Sequence, residues 1–235
     1  MKKIIIGVFA LFLLFSFISC DFFVTSWGSG MQRDLNAALK KESTGDLAKL
    51  AKDPNYASDP KVAGSLLDAL SGKSEDEIKS LRPNEKEDIL ALAFTASIPM
   101  DAISEVLKAA ENGEEGSGEE LFYALIDSIT GFNTKVIQTI LSDTETQNTA
   151  SPDALAGASL ALVAQVLKRE SENLKFDDLE GLFGENGDID SQKITDQSKT
   201  DLKAVKAIYD LFESGDRHEE KLTLFGQSIN FGGDE

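Results

Sequence analysis

The sequence predicts an all-α protein, built either as an antiparallel helical bundle or as a body of stacked helical repeats. Three observations carry that expectation. From residue 31 onwards apolar side chains recur at i, i+3, i+4 and i+7 in one segment after another, which lines one face of a helix with 3.6 residues per turn. Segment starts carry Ser, Asp or Asn, in places with Pro in the next position, and Gly or Pro marks several ends. The connections are short, which sets successive helices side by side and antiparallel. Hydrophobic residues make up 41% of the 235 residues, enough to bury a core.

Taken in order, Met31–Lys41 and Asp46–Lys52 read as short helices, the second ended by Pro54. Asp59-Pro60 opens the next, with Val62, Leu66, Leu67 and Leu70 on one face and Gly72 as its stop. Ser74-Glu75-Asp76-Glu77 is a capping box, in which the Ser side chain and the Glu side chain satisfy each other's free amides. Ile89, Leu90, Leu92, Ala93, Phe94 and Ala96 belong to a mostly buried helix that ends before Pro99. Ile103, Val106, Leu107 and Ala110 form a further amphipathic stripe, and residues 111–120 an acidic, solvated loop.

Leu121, Phe122, Leu125, Ile126 and Ile129 line the next helix, which Gly131 breaks. Asn133 is placed to cap a helix carrying Val136, Ile137, Ile140 and Leu141, followed by a polar loop over Ser142–Ala150. Ser151-Pro152-Asp153 starts the most apolar helix after the N-terminal segment, Ala154–Leu167, where Gly157 and Ala161 allow close approach of a neighbour. Phe176–Phe183 reads as a short helix, Gly184–Lys199 as irregular polar chain, and Thr200–Glu213 as a strong last helix. Alternation around Gly226-Gln227 adds a small C-terminal β-hairpin. Helix pairs opening near Glu85, Gly118 and Pro152 give the 33–34-residue spacing behind the repeat alternative, which resembles tetratricopeptide repeats in period, although the Trp, Gly, Tyr and Pro signature positions of that repeat are not in register.

The N-terminus has a different character. Met1-Lys2-Lys3 is followed by an apolar run, Ile4–Ile18, and then Ser19-Cys20. A cationic start, an apolar core of this length and a small residue before the cut form a secretory signal. The run is 15 residues long, short of the roughly 20 that a helix needs to cross a bilayer. Phe17-Ile18-Ser19-Cys20 resembles the lipobox of bacterial lipoproteins, in the looser form of spirochaetal ones, with Phe17 where Leu is usual. The resemblance covers the first 20 residues. It implies a signal peptide over 1–19 and a lipid-bearing Cys20 at the mature N-terminus, with thioether-linked diacylglycerol and often an N-acyl chain.

Cys20 is the one cysteine of the chain, and lipidation would remove the liability of a free thiol in an exported protein. Two or three acyl chains anchor stably where one does not. Residues 20–30 then form a short aromatic tether. Its Phe22, Phe23 and Trp27 either settle at the headgroup level or fold back under the first helix. Residues 31–235 are expected to form a single helical domain.

Charge and composition narrow the function. The 41 acidic and 23 basic residues give a net charge of −18, and loss of Lys2 and Lys3 with the signal brings it to −20. Such a surface is repelled by phosphate backbones and by anionic headgroups, so nucleic acid is a poor partner and the lipid must carry membrane attachment. The acidity also keeps a displayed protein from self-association.

Groups that carry chemistry are sparse. The single His, His218, lies between Arg217 and Glu219 on a polar stretch, where it reads as a surface residue rather than part of a catalytic triad. With no second Cys and one His, the usual zinc ligand set is missing. The run Asn186-Gly187-Asp188-Ile189-Asp190-Ser191 alternates oxygen ligands as a calcium loop does. However, Ser191 stands where Gly is needed, and Gln197 where a bidentate Glu is needed. Asp177-Asp178, Glu114-Glu115 and Glu119-Glu120 are paired acids that read as solvated loops and helix starts. No metal site and no cofactor is expected.

The function that follows is a non-enzymatic binding or scaffold lipoprotein of the cell envelope, on the periplasmic side of a membrane or at the cell surface. Its partner would be a protein or a small ligand. The alternatives are a surface-exposed adhesin or antigen and, more remotely, a carboxylate-dependent envelope hydrolase with two inward-facing acids.

Overall fold

A computed structural model of the chain describes residues 35–97, 123–124, 126–171, 194–213, 215–217 and 220, with the backbone of 223–224 and 227–228. The chain divides into two compact units, residues 1–41 and 42–235. In the first, residues 35–39 are helical, closed by the Lys40 amide on Asn36 O and the Lys41 amide on Ala38 O. The second unit is the helical body, and the fold class is all-α as predicted.

Capping chemistry writes the first half of the body. Helix α1, Thr44–Lys52, begins two residues earlier than its apolar pattern, because the Ser43 side chain accepts from the Asp46 amide. Pro54 does not merely end it. Asp53 caps a further turn, α2, Pro54–Ala57, through the Asn55 amide. The same device opens α3, Pro60–Ser71, where Asp59 accepts from the Lys61 and Val62 amides. Both halves of the capping box at Ser74 and Glu77 are formed and start α4, Glu75–Lys79. Helix α5, Pro83–Ser97, follows. Four of the chain's five prolines thus stand at the first helical position, where the missing N–H has no partner to lose.

In the second half, α6 spans Lys135–Leu141, with the Asn133 side chain accepting from the Lys135 amide. The polar stretch read as a loop over Ser142–Ala150 contains a helix instead, α7, Thr144–Thr149. Helix α8, Pro152–Glu170, has 19 residues rather than the 14 of its apolar stretch. Ser151 caps its start, and Lys168 and Arg169 extend its last turn, where cations favour the helix dipole. Helix α9, Asp196–Glu213, starts four residues before the expected Thr200, because the Thr195 hydroxyl accepts from the Ser198 amide.

The expected hairpin is present as a ladder of two residue pairs, but Gln227, expected in the turn, belongs to its second strand. Strand β1, Thr223–Leu224, runs antiparallel to β2, Gln227–Ser228, with Leu224 opposite Gln227, so residues 225 and 226 connect them. The expected helices over 103–110 and 176–183 lie outside the described residues.

Helix α5 is the hub. It packs against α8, α3, α1, α6, α7 and α2, whereas a linear repeat array would limit each unit to its sequence neighbours. That arrangement is a bundle wrapped around one helix, and it explains why α5 is apolar on most sides. Ile89, Leu90, Leu92, Ala93 and Ala96 are all buried, as are Leu47, Leu66, Leu67, Ile137, Ile140, Leu155 and Leu162 of the helices that pack against α5.

Helix α8 crosses α5 closely at Gly157, as its small side chain predicts. A β-carbon built on Gly157 would lie 3.3 Å from Cβ of Phe94. Gly157→Ala therefore sets a helix-propensity gain of up to about 1 kcal/mol against a small shift of Phe94, and should leave stability nearly unchanged. Gly157→Leu forces the helices apart and should cost about 1–3 kcal/mol, read as a lower urea midpoint. Equal midpoints for the Leu variant and wild type would show that the crossing is not tight.

Candidate functional site

Buried charge marks the places where this fold holds polar groups for a purpose. The largest such cluster joins the end of α8 to the start of α9, with α6 beneath. Glu170, in the last turn of α8, is fully buried. Its Oε1 accepts from the Ser198 hydroxyl at 2.5 Å, the Thr195 hydroxyl at 2.6 Å and the Thr195 amide at 3.0 Å. Thr195 also caps α9, so one carboxylate oxygen holds the cap that starts the next helix.

One residue earlier, Arg169 donates through Nη1 to Ser198 Oγ and to Asp201 Oδ2, each at 2.9 Å. Asp201 is fully buried, while the Arg169 side chain keeps 27% of its surface exposed. The other Asp201 oxygen accepts from Gln138 Nε2 of α6 at 2.5 Å, and Gln197 Nε2 donates to Thr134 Oγ1 at 2.9 Å. Around this polar cluster, Val166 of α8 packs with Ile194 and Leu202, and Val163 packs against them.

A second buried charge sits at the start of α5. Lys86, in the first turn of α5, is 2% exposed and donates to Asp143 Oδ2 at 2.7 Å. Asp143 also accepts from the Thr146 hydroxyl at 2.8 Å. Burial pushes the Asp143 carboxyl up, but hydrogen bonds from Lys86 and Thr146 and the Lys86 charge outweigh it and hold the group below the ordinary carboxylate value.

Further polar side chains, buried at Gln165 and Ser71, half-buried at Lys168 and exposed at Asp68, tie loops to helices. Gln165 accepts from the Phe132 amide at 3.1 Å and donates to Thr130 O at 2.9 Å. Lys168 donates to the carbonyls of Ile126 and Asp127. Ser71 and Asp68 of α3 hold the Asn133 backbone at 2.8 and 2.6 Å. In each case a side chain satisfies backbone groups that a chain break leaves open, which a buried segment requires.

This electrostatics has a pH signature. Glu77, Glu85 and Asp143 are all held below their ordinary values, the first two chiefly by side-chain hydrogen bonds from Ser74 and Arg82 respectively. A carboxylate depressed in the folded state adds stability above its unfolded pKa and loses it as pH falls through the folded one. Asp88 acts oppositely: burial, with Glu87 and Glu85 nearby, raises it, and Lys52 offsets only part. The urea midpoint should therefore hold from pH 7 to about pH 5 and fall below about pH 4. Asp143→Asn should lower the neutral-pH midpoint and flatten the acid limb; an unchanged limb would remove Asp143 as a contributor.

Of the residues weighed for chemistry in the sequence, Gln197 takes part in the first cluster, where it donates to Thr134. Cys20, Phe22, Phe23, Trp27 and His218 lie outside the described residues, as do the calcium-like run 186–191 and the acid pairs at 114–115, 119–120 and 177–178. Among the described residues no group of three or more His, Cys, Asp or Glu is arranged to hold a metal ion, and no helix is long and apolar enough to cross a membrane. The sequence reading did not single out Lys86, Arg169, Glu170, Ser198 and Asp201. The signal was present: each is a polar residue three or four places from apolar residues of its own helix's inner face, as Lys86 is from Ile89 and Leu90.

What fold and clusters define is an all-α bundle whose buried charges fasten helix ends. No family model, curated protein or solved structure matches the chain.

Proposed function

We propose that this chain is a lipid-anchored lipoprotein of the bacterial cell envelope whose helical body acts as a non-enzymatic binding or scaffold module. The observation that carries the reading is the N-terminal pattern. A cationic start, a 15-residue apolar run and Ser19 before the one cysteine of the chain together resemble a lipoprotein signal. The body supports the second half of the reading. Its buried polar side chains described above spend their hydrogen bonds on helix caps, loop carbonyls and one another, which is the use a rigid scaffold makes of them. The acidic surface favours attachment by acyl chains over attachment by charge.

The test is fatty-acid labelling. The full chain, expressed in a bacterium that processes lipoproteins and fed an alkyne fatty acid, should acquire the label and partition into a detergent phase. Cys20→Ser should lose the label entirely. Labelling of the Cys20→Ser variant, or an unlabelled wild type, sinks the anchor. For the binding role, in-cell crosslinking of the labelled protein should give one dominant adduct. A ladder of abundant envelope proteins in its place would count against a specific partner.

A further inference from the structure

We infer that α7 is a clasp: a short helix that opens and closes as a unit on the folded body, held at each end by a buried cation from elsewhere in the chain. Its sequence, Thr-Glu-Thr-Gln-Asn-Thr over Thr144–Thr149, carries no aliphatic or aromatic side chain, and only Thr146 is buried. A six-residue helix does not sustain itself in water, and this one has no apolar face to dock. Its place must come from other contacts.

Three contacts supply it, one at each end and one between them. At the N-terminal end Asp143 meets Lys86 Nζ at 2.7 Å, and the Thr146 hydroxyl closes on the same carboxylate. At the C-terminal end Arg217, 8% exposed, donates through Nη1 to the Gln147 carbonyl at 2.9 Å and the Ala150 carbonyl at 2.8 Å. These are carbonyls that the end of a helix leaves without an intrahelical partner, and a cation there also faces the negative end of the helix dipole. Arg217 is itself braced: its guanidinium lies 4.7 Å from the centre of the Phe212 ring and pairs with Glu220. Between the two ends, Gln147 Nε2 donates to Leu141 O at 2.7 Å, which folds the helix back on the one before it.

The contrast with the hub is what makes α7 separable. Helices α5 and α8 are joined by side chains with no exposed surface, among them Ile89, Leu90, Leu155 and Leu162, so parting them means unfolding the core. Parting α7 breaks charged hydrogen bonds and withdraws no aliphatic or aromatic side chain of its own from the core. Elements with few buried apolar contacts open at lower free energy than the molecule as a whole. Opening separates Lys86 from Asp143, whereas Arg217 keeps its pairing with Glu220 and its place on the Phe212 ring.

Hydrogen exchange read by mass spectrometry on the full chain tests this. In the native protein, amides of 144–150 should exchange at least about tenfold faster than those of α5 and α8, with an opening rate insensitive to low urea because little surface is exposed. Arg217→Met should speed exchange in that segment by a further tenfold or so and leave α3, α5 and α8 unchanged. Lys86→Met, which keeps a long apolar stem in the core, should do the same from the other end. If native α7 amides exchange only with global unfolding, at the rate of α8, the clasp does not exist. Uniform acceleration of all helices in Arg217→Met would overturn it equally. The native-chain measurement needs no substitution, so the outcome does not depend on whether either variant folds.

Discussion

Replacing Arg169 by Met should cost about 3–5 kcal/mol, more than removing its partner. The reason is the asymmetry of the pair. Asp201 has no exposed surface, whereas the Arg169 side chain keeps 27% of its own. Without Arg169 a carboxylate stays in the interior with only the Gln138 amide beside it, and an uncompensated buried charge of this kind costs about that much. Without the Asp201 charge, as in Asp201→Asn, Arg169 can turn its guanidinium towards water and the Asn can still accept from Gln138. That loss should be nearer 1–3 kcal/mol. Paired removal, Arg169→Met with Asp201→Leu, should recover much of the loss, because no charge is then left to bury. Urea midpoints for the three variants decide the point. Equal costs for the two single variants, with no recovery in the double, would mean that the cluster acts through packing alone.

Ile89→Ala should cost about 2–5 kcal/mol, in the upper part of that range. Ile89 has no exposed surface, and α5 touches six other helices of the body. A void in the hub cannot be closed by one neighbour moving inward, since each neighbour is held elsewhere by caps and buried ion pairs. Where the surroundings cannot collapse, the cavity term adds in full to the lost transfer energy. The same substitution at the half-buried Val62, on α3, should cost well under half as much. If Ile89→Ala and Val62→Ala shift the thermal midpoint equally, α5 is not the hub that the packing implies.

Most helices were legible in the sequence because their signals are local. Ser74 and Glu77, three apart, contain the whole capping box, and Asp59-Pro60 contains the whole start of α3. The one missed helix of the second half, α7, shows the limit. Its six residues hold no apolar period, so nothing in the local chain distinguishes them from a loop. What makes them a helix is Lys86, 57 residues before Asp143, and Arg217, 67 residues after Ala150. The early starts of α1 and α9 are a milder case. Ser43 and Thr195 are ordinary cap residues, but they stand three and five residues ahead of the expected starts at Asp46 and Thr200.

The buried charges were half legible. Lys86, Glu170 and Asp201 each stand on the apolar stripe of their helix, as Glu170 does four residues after Val166. A charge at such a place must be paired, and that much follows from the cost of burying it alone. Which residue pairs it does not follow. Asp143, Thr195 with Ser198, and Arg169 are brought there by helix crossings, and no spacing along the chain encodes those.

By itself, then, the sequence determined that this chain is helical, where α3, α4 and α8 begin, and that it is strongly acidic. All of these depend on residues a few places apart or on composition alone. The choice of α5 as the hub around which the other helices wrap, the close passage of Gly157 against Phe94, and the fastening of α7 by Lys86 and Arg217 were decided only in the tertiary structure. They depend on which faces meet, and that is set by the joint packing of side chains far apart in sequence.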